Sequence, residues 1–346
     1  MPYLSKRPTI LDVASAAGVS YQTVSRVINS KAEVSEETRE KVKRVIEELG
    51  YKPSAIARSL IQQRSYTLGV VTAGLKFIGP SRTLNGITQQ AEEKGYTLLL
   101  KELPSFNTNN VQHIIDSLLS RHVDGLIWAA PEIGDNRKWL EEELVKFSIP
   151  VIFISMHPVD NFSVISIDNY LGGQIATQHL IECGYKNIGF ISGPLDWWEA
   201  RQRKRGWEKV QKEHSFAISE NTWSEGNWSS SSGEEAFEKL IKQYPNMDAV
   251  FSANDQMALG VMSYAYKHHI RIPDDLAIIG FDDIAEAESF CPPLTTIRND
   301  LLSVGRNAVN EIVSAIEDDR EGKEHHSNNF LVSPELIVRQ STKHIT

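Results

Sequence analysis

The 346-residue chain has only two cysteines and no long apolar run. Cys183 and Cys291 form no CxxC pair, so the sequence indicates neither a disulfide framework nor a zinc site, and we expect both to be small buried residues. The longest apolar runs, such as Gly69 to Val71, are far shorter than the roughly 20 residues that a membrane span needs. No apolar segment typical of a signal peptide follows Met1. These absences predict a cytoplasmic protein that does not contact a membrane.

The common signatures of enzymes are also missing. No GxGxxG follows the first predicted strand, and the chain has no P-loop, no GxSxG and no metal-ligand spacing. We therefore predict that the chain is not an enzyme and that it needs neither a metal ion nor another cofactor.

Charge is unevenly distributed along the chain. The formal net charge is −9, yet residues 1–64 hold 11 Lys and Arg against 7 Asp and Glu, a net of +4. The remaining residues hold 25 against 38, a net of −13. A basic module on an acidic carrier indicates a protein that binds nucleic acid through its N-terminal part.

The first fifty residues predict three short helices. Thr9 can cap a helix over 10–17, Gly18 supplies the turn after it, and Ser20 can cap a second helix that begins at Tyr21. Ser35 can cap a third helix. A helix, a glycine turn and a helix with a polar start are the order of a helix-turn-helix, although small helical bundles share this spacing.

The segment 54–60 follows Pro53 and is prone to form a helix, but it is too short to be stable in isolation. It is therefore a candidate hinge that another molecule would have to order.

From residue 66 onward, short apolar runs alternate with amphipathic stretches, which is typical of parallel sheets covered on both faces. Strands are predicted at 67–72, 96–100, 125–128, 150–154, 188–192, 249–252 and 276–280. Helices are predicted at 81–94, 111–120, 169–183, 200–213, 233–243, 256–268 and 301–316. The expected fold class is α/β, with two doubly wound lobes and a ligand cleft at the carboxyl ends of their strands.

Particular residues resemble the lac repressor (LacI/GalR) family over nearly the whole chain. The family's DNA-reading motif is similar to TILDVA at 9–14 and AGVSYQTVSRVIN at 17–29. Its effector domain is similar to GP at 193–194, RQRKRGW at 201–207, EGNWS at 225–229, ANDQMA at 253–258, GFDD at 280–283 and PPLTTI at 292–297.

The resemblance implies a division of the chain into three parts. These are a helix-turn-helix headpiece at 1–53, a hinge helix and linker at 54–64, and a core at 65–346 like the periplasmic binding proteins. Within the core, the expected boundaries are about 65–161 and 296–325 for lobe 1 and about 162–293 and 327–342 for lobe 2.

The resemblance also implies which residues read DNA. Tyr21 and Gln22 would choose the operator at the start of the recognition helix, where Gln22 suits adenine and Arg26 suits guanine. Leu60 would wedge into the minor groove, with Ala57 allowing the hinge helices of two subunits to pack closely. The full predicted set is Thr9, Ser20, Tyr21, Gln22, Thr23, Ser25, Arg26, Asn29, Ala57 and Leu60, of which Thr23, Ser25 and Asn29 would contact phosphates.

Carried over to the core, the resemblance implies an effector site. Arg203, Asn254 and Asp282 become polar contacts and Trp228 an aromatic platform, a set that suits the hydroxyls and the C–H face of a pyranose. The chain departs from the family where Trp197, Trp198 and Glu199 replace small residues. Phe77, Ile78 and Trp198 are therefore expected as apolar walls around a different or larger glycoside.

The resulting hypothesis is a homodimeric repressor that binds near-palindromic double-stranded operator DNA and is released allosterically by a galactoside or related glycoside. A dimer, and not a tetramer, is expected because residues 335–346 lack the leucine heptads of a coiled coil that could join two dimers. A purine-responsive repressor and a catabolite-control regulator with a phosphoprotein corepressor stay open as alternatives. A periplasmic sugar-binding protein would share the core, but the basic headpiece opposes it.

Overall fold

The computed structural model describes residues 8–28, 33–52, 64–104, 111–133, 148–158 and 160–342. The chain divides into two compact units, 1–66 and 67–346. Residues 54–63 of the predicted hinge helix and linker at 54–64 lie outside the described residues, as do the predicted DNA contacts Asn29, Ala57 and Leu60.

The N-terminal unit contains the three predicted helices, α1 (Ile10–Ala17), α2 (Tyr21–Ile28) and α3 (Glu36–Leu49). The predicted capping box of α1 is present, since the Thr9 hydroxyl accepts from the Asp12 amide while the Asp12 carboxylate accepts from the Thr9 amide at 2.7 Å. Gly18 ends α1 with φ +61°, a left-handed conformation that glycine adopts without steric cost. Small apolar side chains fill the core, namely Val13, Ala14, Ala17, Val24, Val27, Val42 and Val45.

The first sheet of the second unit has the strand order β11-β5-β4-β3-β1-β2 within the described residues, and all its pairs are parallel. Its strands are β1 (Thr67–Thr72), β2 (Thr97–Glu102), β3 (Gly125–Ala129), β4 (Val151–Ile154), β5 (Ser163–Ile167) and β11 (Asn329–Val332). The central strands are nearly continuous apolar runs, as strands buried on both faces require.

The second sheet has the order β12-β10-β9-β8-β6-β7, again within the described residues. Its strands are β6 (Ile188–Ser192), β7 (Trp223–Glu225), β8 (Ala249–Ser252), β9 (Ala277–Asp282), β10 (Thr295–Arg298) and β12 (Glu335–Ile337). They are parallel except that β12 runs antiparallel to β10.

Helices cover the two sheets, and neighbouring helices pack in pairs. The helices are α4 (Ile78–Glu93), α5 (Gln112–Leu119), α6 (Asn169–Glu182), α7 (Trp198–Glu213), α8 (Ser230–Gln243), α9 (Asp255–Lys267) and α10 (Leu301–Arg320). The closest pairs are α4 with α10, α6 with α7, and α8 with α9. The predicted α/β class with two doubly wound lobes is confirmed.

The structure corrects the expected boundaries between the lobes. β5 and β11 pair within the first sheet, although 162–167 and 327–332 were assigned to lobe 2. β10 pairs with β9 in the second sheet, although 296–298 was assigned to lobe 1. The pairing of β5 with β11 joins strands that are far apart in sequence, whereas β5 and β10 each also pair with the strand just before them in the chain.

The two cysteines are less buried than the sequence predicted. Cys183 is half-buried, but Cys291 is exposed and therefore not the buried residue that was expected, because it lies in the loop before Pro292 rather than within a strand or helix. Within the described ranges, no helix is long and apolar enough to cross a membrane.

Candidate functional site

Helix α2 exposes the polar side chains that the sequence marked for DNA reading. Val24 and Val27 are buried against α1 and α3, which leaves Tyr21, Gln22 and Arg26 exposed on the outer side. Tyr21 keeps 54% of its surface exposed. The helix therefore presents a stacking group, an amide and a guanidinium on one surface.

Local bonds hold the start of α2 in place. The Ser20 hydroxyl accepts from the Thr23 amide at 3.1 Å and lies 2.9 Å from the Thr23 hydroxyl, so Ser20 caps the helix as predicted. Arg26 makes an exposed ion pair with Glu33, at 3.4 Å. Because exposed pairs contribute little free energy, this guanidinium can exchange its partner for a base or a phosphate at small cost.

A cavity lies where the carboxyl ends of strands from both sheets face each other in the second unit. Its empty space, counted together with the open solvent at its mouth, is about 800 Å³. Segments that follow β1, β3, β4 and β5 form one side, and segments that follow β6 to β10 form the other. This is the position expected for ligands in open α/β sheets.

Arg203 lies at the centre of the polar side of the cavity and is buried. Its Nε donates to Asn169 Oδ1 at 2.8 Å, and its Nη1 donates to the Ala253 carbonyl and lies 3.5 Å from Asp282 Oδ1. The guanidinium also stacks 3.7 Å from the centre of the Phe281 ring. A planar, pre-oriented donor of this kind suits hydroxyl or carbonyl oxygens of a ligand.

Asp282 ends β9 and is held in a strained conformation. Its φ is +113°, which residues with a side chain rarely adopt and which is often retained at functional sites. Its Oδ1 accepts from Asn299 Nδ2 at 3.0 Å. Burial raises the pKa of the Asp282 carboxyl above its usual range, while Arg203 and Asn299 oppose that shift by stabilising the carboxylate.

Trp228 forms an aromatic wall that its neighbours fix. Its φ is +74°, and its carbonyl accepts from Asn254 Nδ2 at 3.0 Å. Asn254 Oδ1 caps α9 through the Met257 amide at 2.8 Å, so Asn254 connects this wall to a helix start. Gly193 packs directly on the Trp228 ring, where a Cβ atom would collide.

Three aromatic side chains of the cavity meet edge to face. The Trp197 ring centre lies 5.8 Å from that of Trp228 and 5.9 Å from that of Phe77, with interplanar angles of 71° and 82°. Such T-shaped pairs are favoured by the ring quadrupoles. They give the cavity a rigid apolar rim.

Glu199 lines the same cavity from the first turn of α7. Its Oε2 is buried and has no hydrogen-bond partner in the described structure. Burial raises the pKa of this carboxyl to about 7, and Glu132 adds to the rise, while the backbone amide of Glu199 itself, Arg203 and Arg201 oppose it.

The two sides of the cavity touch next to Glu199. Ile133, after β3, forms an antiparallel bridge with Trp197, and the Trp198 amide donates to the Glu132 carbonyl at 3.3 Å. Arg201 Nη2 lies 3.3 Å from Glu132 Oε1. These contacts close the cavity on one flank.

Comparisons with known proteins show which family shares this architecture. Residues 9–54 match the profile described as bacterial regulatory proteins, lacI family, and residues 177–342 match a periplasmic binding protein-like domain. The HTH-type transcriptional repressor PurR of Haemophilus influenzae (strain PittEE) is 37% identical over 342 residues, which cover 97% of this chain and 99% of that protein. The chain belongs to the lacI family of bacterial regulatory proteins.

Solved structures agree with this lacI-family assignment. The lac repressor dimer bound to operator and the anti-inducer ONPF has a TM-score of 0.86 at 30% identity, covering 97% of this chain and 99% of that one. A complex of the transcriptional regulator CelR with cellobiose has a TM-score of 0.71 at 30% identity, covering 97% and 100%. This lacI-family chain is a DNA-binding transcriptional repressor, and the prediction that it is not an enzyme is confirmed by its relatives.

Six of the seven effector contacts predicted for the lacI-family chain line the cavity, namely Phe77, Ile78, Arg203, Trp228, Asn254 and Asp282. Trp198 does not line it. The α7 helix begins at Trp198, so Trp197, still in an extended conformation, turns its ring into the cavity instead.

Sequence reasoning did not select several polar residues of the cavity, namely Asn169, Glu199, Gln256 and Asn299. Their common signal is that each follows the carboxyl end of a strand, and two of those strands, β5 and β10, were not predicted. In the described ranges no cluster of three or more His, Cys, Asp or Glu is arranged to hold a metal ion.

Proposed function

We propose that this lacI-family protein binds a near-palindromic operator as a homodimer and is released from it by a sugar bound in the cavity. The observation that carries the proposal is the cavity itself, where Trp228 offers a ring face beside the polar groups of Arg203, Asn254 and Asp282. The DNA-binding half depends on the exposed side chains of α2.

The α2 surface supports sequence-specific reading of the major groove. A glutamine amide can make two hydrogen bonds to adenine, and an arginine can make two to guanine, so Gln22 and Arg26 suit direct readout. Thr9 and Ser20 directly precede α1 and α2, Thr23 lies in the first turn of α2 and Ser25 in its second turn, and such hydroxyls can bind phosphates. Two headpieces would read the two half-sites of a symmetric operator, and the solved lac repressor dimer on operator gives precedent.

The chemistry of the cavity supports a sugar effector. Hydroxyl groups both donate and accept, so they can bond to the guanidinium, amide and carboxylate groups of separate loops. The aromatic rim covers the apolar face of a sugar ring. The CelR structure, which holds cellobiose, shows that a relative of this fold binds a saccharide.

A purine is the second candidate effector, because the repressor PurR of Haemophilus influenzae (strain PittEE) is 37% identical to this chain over 342 residues. A flat base could stack on Trp228 and pair with Arg203 and Asp282. The edge-to-face rim and the unpartnered groups around the cavity favour a ligand with hydroxyls on several sides.

Release would follow from a shift between lobe arrangements. A ligand that binds one arrangement better than the other changes their populations, and it weakens operator binding only by that difference in affinity. Couplings of this kind are typically about 1–3 kcal/mol, which corresponds to about 5- to 150-fold in affinity.

The test is fluorescence anisotropy of the full-length protein on a symmetric lac-like operator. Salt is held constant because phosphate contacts make affinity strongly salt-dependent. Lactose, cellobiose and other glycosides are compared with guanine and hypoxanthine. Loss of tight specific binding on adding one saccharide supports the proposal, whereas binding that appears only with a purine contradicts the sugar assignment.

A further inference from the structure

Glu199 is an unusual group for an apolar cavity wall. It is the second residue of α7, its Oε2 is buried without a partner in the described structure, and it faces the cavity beside Trp197 and Arg203. A buried carboxylate oxygen without a hydrogen bond costs free energy, so a native protein retains one only for a reason. A ligand donor in the cavity would remove that cost.

The charges around the cavity favour an uncharged ligand. Its charged lining residues in the described structure are Glu199, Asp282 and Arg203. Arg203 is already bound to Asp282, Asn169 and the Ala253 carbonyl. A phosphate or carboxylate entering this cavity would therefore meet two acidic side chains and a guanidinium whose charge Asp282 already offsets in part.

The other unpartnered atoms indicate which uncharged groups fit. Asn299 Oδ1 is a second buried acceptor that has no hydrogen-bond partner in the described structure. Trp228 Nε1 is a buried donor that also has no partner there. Both residues line the cavity. A hydroxyl group serves both kinds of atom, since it donates one hydrogen and accepts through its lone pairs.

We infer that Glu199 restricts the effector to uncharged, hydroxyl-bearing saccharides: its carboxylate accepts a hydrogen bond from the bound sugar and repels a phosphorylated or carboxylated one. The inference rests on the proposed sugar-responsive function and specifies the class of sugar. It makes Glu199 a specificity-determining residue of the cavity.

A hydrogen bond from the sugar to Glu199 makes saccharide binding depend on pH. The free carboxyl, influenced by Arg201 and Arg203 on its own helix and by Glu132 across the cavity flank, has a pKa of about 7. A donor on the sugar stabilises the ionised form and lowers the pKa of Glu199 in the complex, so binding releases a proton. Saccharide affinity should therefore rise by up to about tenfold from pH 6 to pH 8.

The experiment is isothermal titration calorimetry of the full-length wild type and the Glu199→Gln variant at pH 6, 7 and 8. The ligands are lactose, cellobiose, the pairs glucose with glucose 6-phosphate and trehalose with trehalose 6-phosphate, and hypoxanthine. Glu213→Gln is the matched control, because Glu213 is on the same helix but pairs with Lys209 at an exposed site, at 2.8 Å. Thermal unfolding checks that each variant is folded.

We expect a neutral saccharide to bind the wild type more tightly than its phosphorylated counterpart. Glu199→Gln should weaken its binding by about tenfold or more at pH 8 and abolish the rise with pH, and Glu213→Gln should change neither. Saccharide binding that is indifferent to Glu199→Gln, or tighter binding of the phosphorylated sugar, overturns the inference and leaves the sugar-responsive function standing. Binding of hypoxanthine alone, or of no ligand in the panel, overturns the proposed sugar effector and this inference together.

Discussion

A buried guanidinium needs acceptors for its donors, and the Nε and Nη1 atoms of Arg203 find them in groups from three different segments. Asn169 follows β5, Ala253 follows β8 and Asp282 ends β9, so a single side chain connects three loops at the cavity. The arrangement depends on the planar fork of the arginine. A lysine at the same position would carry the charge but could not hold this geometry.

Arg203→Lys should therefore weaken saccharide binding by at least about tenfold, while the protein still binds operator without ligand. Calorimetric titration with the best saccharide and operator anisotropy measure the two effects. Arg205→Lys is the control, because Arg205 is exposed on the same helix and does not line the cavity. Equal saccharide affinity in Arg203→Lys and the wild type would remove Arg203 from the effector site.

The cavity residues that lie within family motifs could be predicted from the sequence. Those whose side-chain direction depends on the residue at which a helix begins could not. Arg203 and Asp282 could be assigned because their neighbours match a pattern. Trp197 and Trp198 are adjacent aromatic residues, and which ring enters the cavity depends on the residue at which α7 begins. Glu199 could be noted as a departure from the family, but its missing partner is visible only in three dimensions.

Paired glycines allow the helices of the described core to approach each other closely. Gly86 on α4 lies against the backbone of Leu302 on α10, and Gly305 on α10 lies against the Thr83 carbonyl on α4. Gly173 with Gly206 and Gly233 with Gly260 perform the same role between α6 and α7 and between α8 and α9. A Cβ atom at any of these positions would meet backbone, which cannot move aside as a flexible side chain can.

Gly305→Ala should lower the free energy of unfolding by about 1–3 kcal/mol, since the added methyl group forces α4 and α10 apart. Denaturant unfolding followed by circular dichroism measures this loss. Gly79→Ala on α4 is the matched control, because a Cβ atom there meets nothing within 4 Å, and it should be neutral or slightly stabilising. Equal stability of the two variants would show that the helix pair tolerates the extra volume.

Helix α2 leads to a prediction about specificity. Gln22→Ala should cost about 1–3 kcal/mol on an operator with adenine at the contacted position, because two hydrogen bonds to the base are lost. The variant should also discriminate less between operators that differ at that base pair. Anisotropy at fixed salt with the two operators gives both quantities, and Gln243→Ala, an exposed position on α8, should change neither. Undiminished discrimination by Gln22→Ala would assign the reading of that base to another residue.

Among the strands, the long apolar ones could be predicted from the sequence, whereas the short strands and the pairings between distant strands could not. The strands β1, β6 and β8 have the predicted bounds, because each is an apolar run between clear boundaries. β7 and β12 have only three residues each, and the four-residue β11 is largely exposed, so none of them carries a strong apolar pattern. β5 is buried, but its place in the first sheet is set by β4 and the distant β11.

At the scale of the whole core, the chain crosses between the two sheets where the cavity lies. It leaves the first sheet after β5, returns after β10 and crosses again between β11 and β12. Asn169 and Asn299, which line the cavity, stand just after two of these crossings. Any change in the angle between the lobes must therefore move groups that line the cavity, which is how a small molecule bound there can bias the arrangement of the core.

The contact of Glu132 with Arg201 offers a way to test this coupling. It joins the segment after β3 to α7 and closes one flank of the cavity, and Glu132 Oε2 also accepts from the His157 amide at 2.9 Å. Glu132→Gln keeps an oxygen for that amide but removes the ion pair. If the closed flank belongs to the saccharide-binding arrangement, this variant should populate that arrangement less.

Glu132→Gln should then weaken saccharide binding by about two- to fivefold, the range for a partly exposed ion pair, and strengthen operator binding in the absence of sugar. Calorimetry and anisotropy at pH 8, where Glu199 is largely ionised in both proteins, separate this effect from the titration of Glu199. Glu213→Gln makes the same substitution away from the cavity flank and should leave both affinities unchanged. Because one equilibrium between lobe arrangements governs both ligands, the two affinities have to move in opposite directions. A parallel loss of both would instead mean that the core is destabilised, and no change in either would mean that this flank does not bias the lobes.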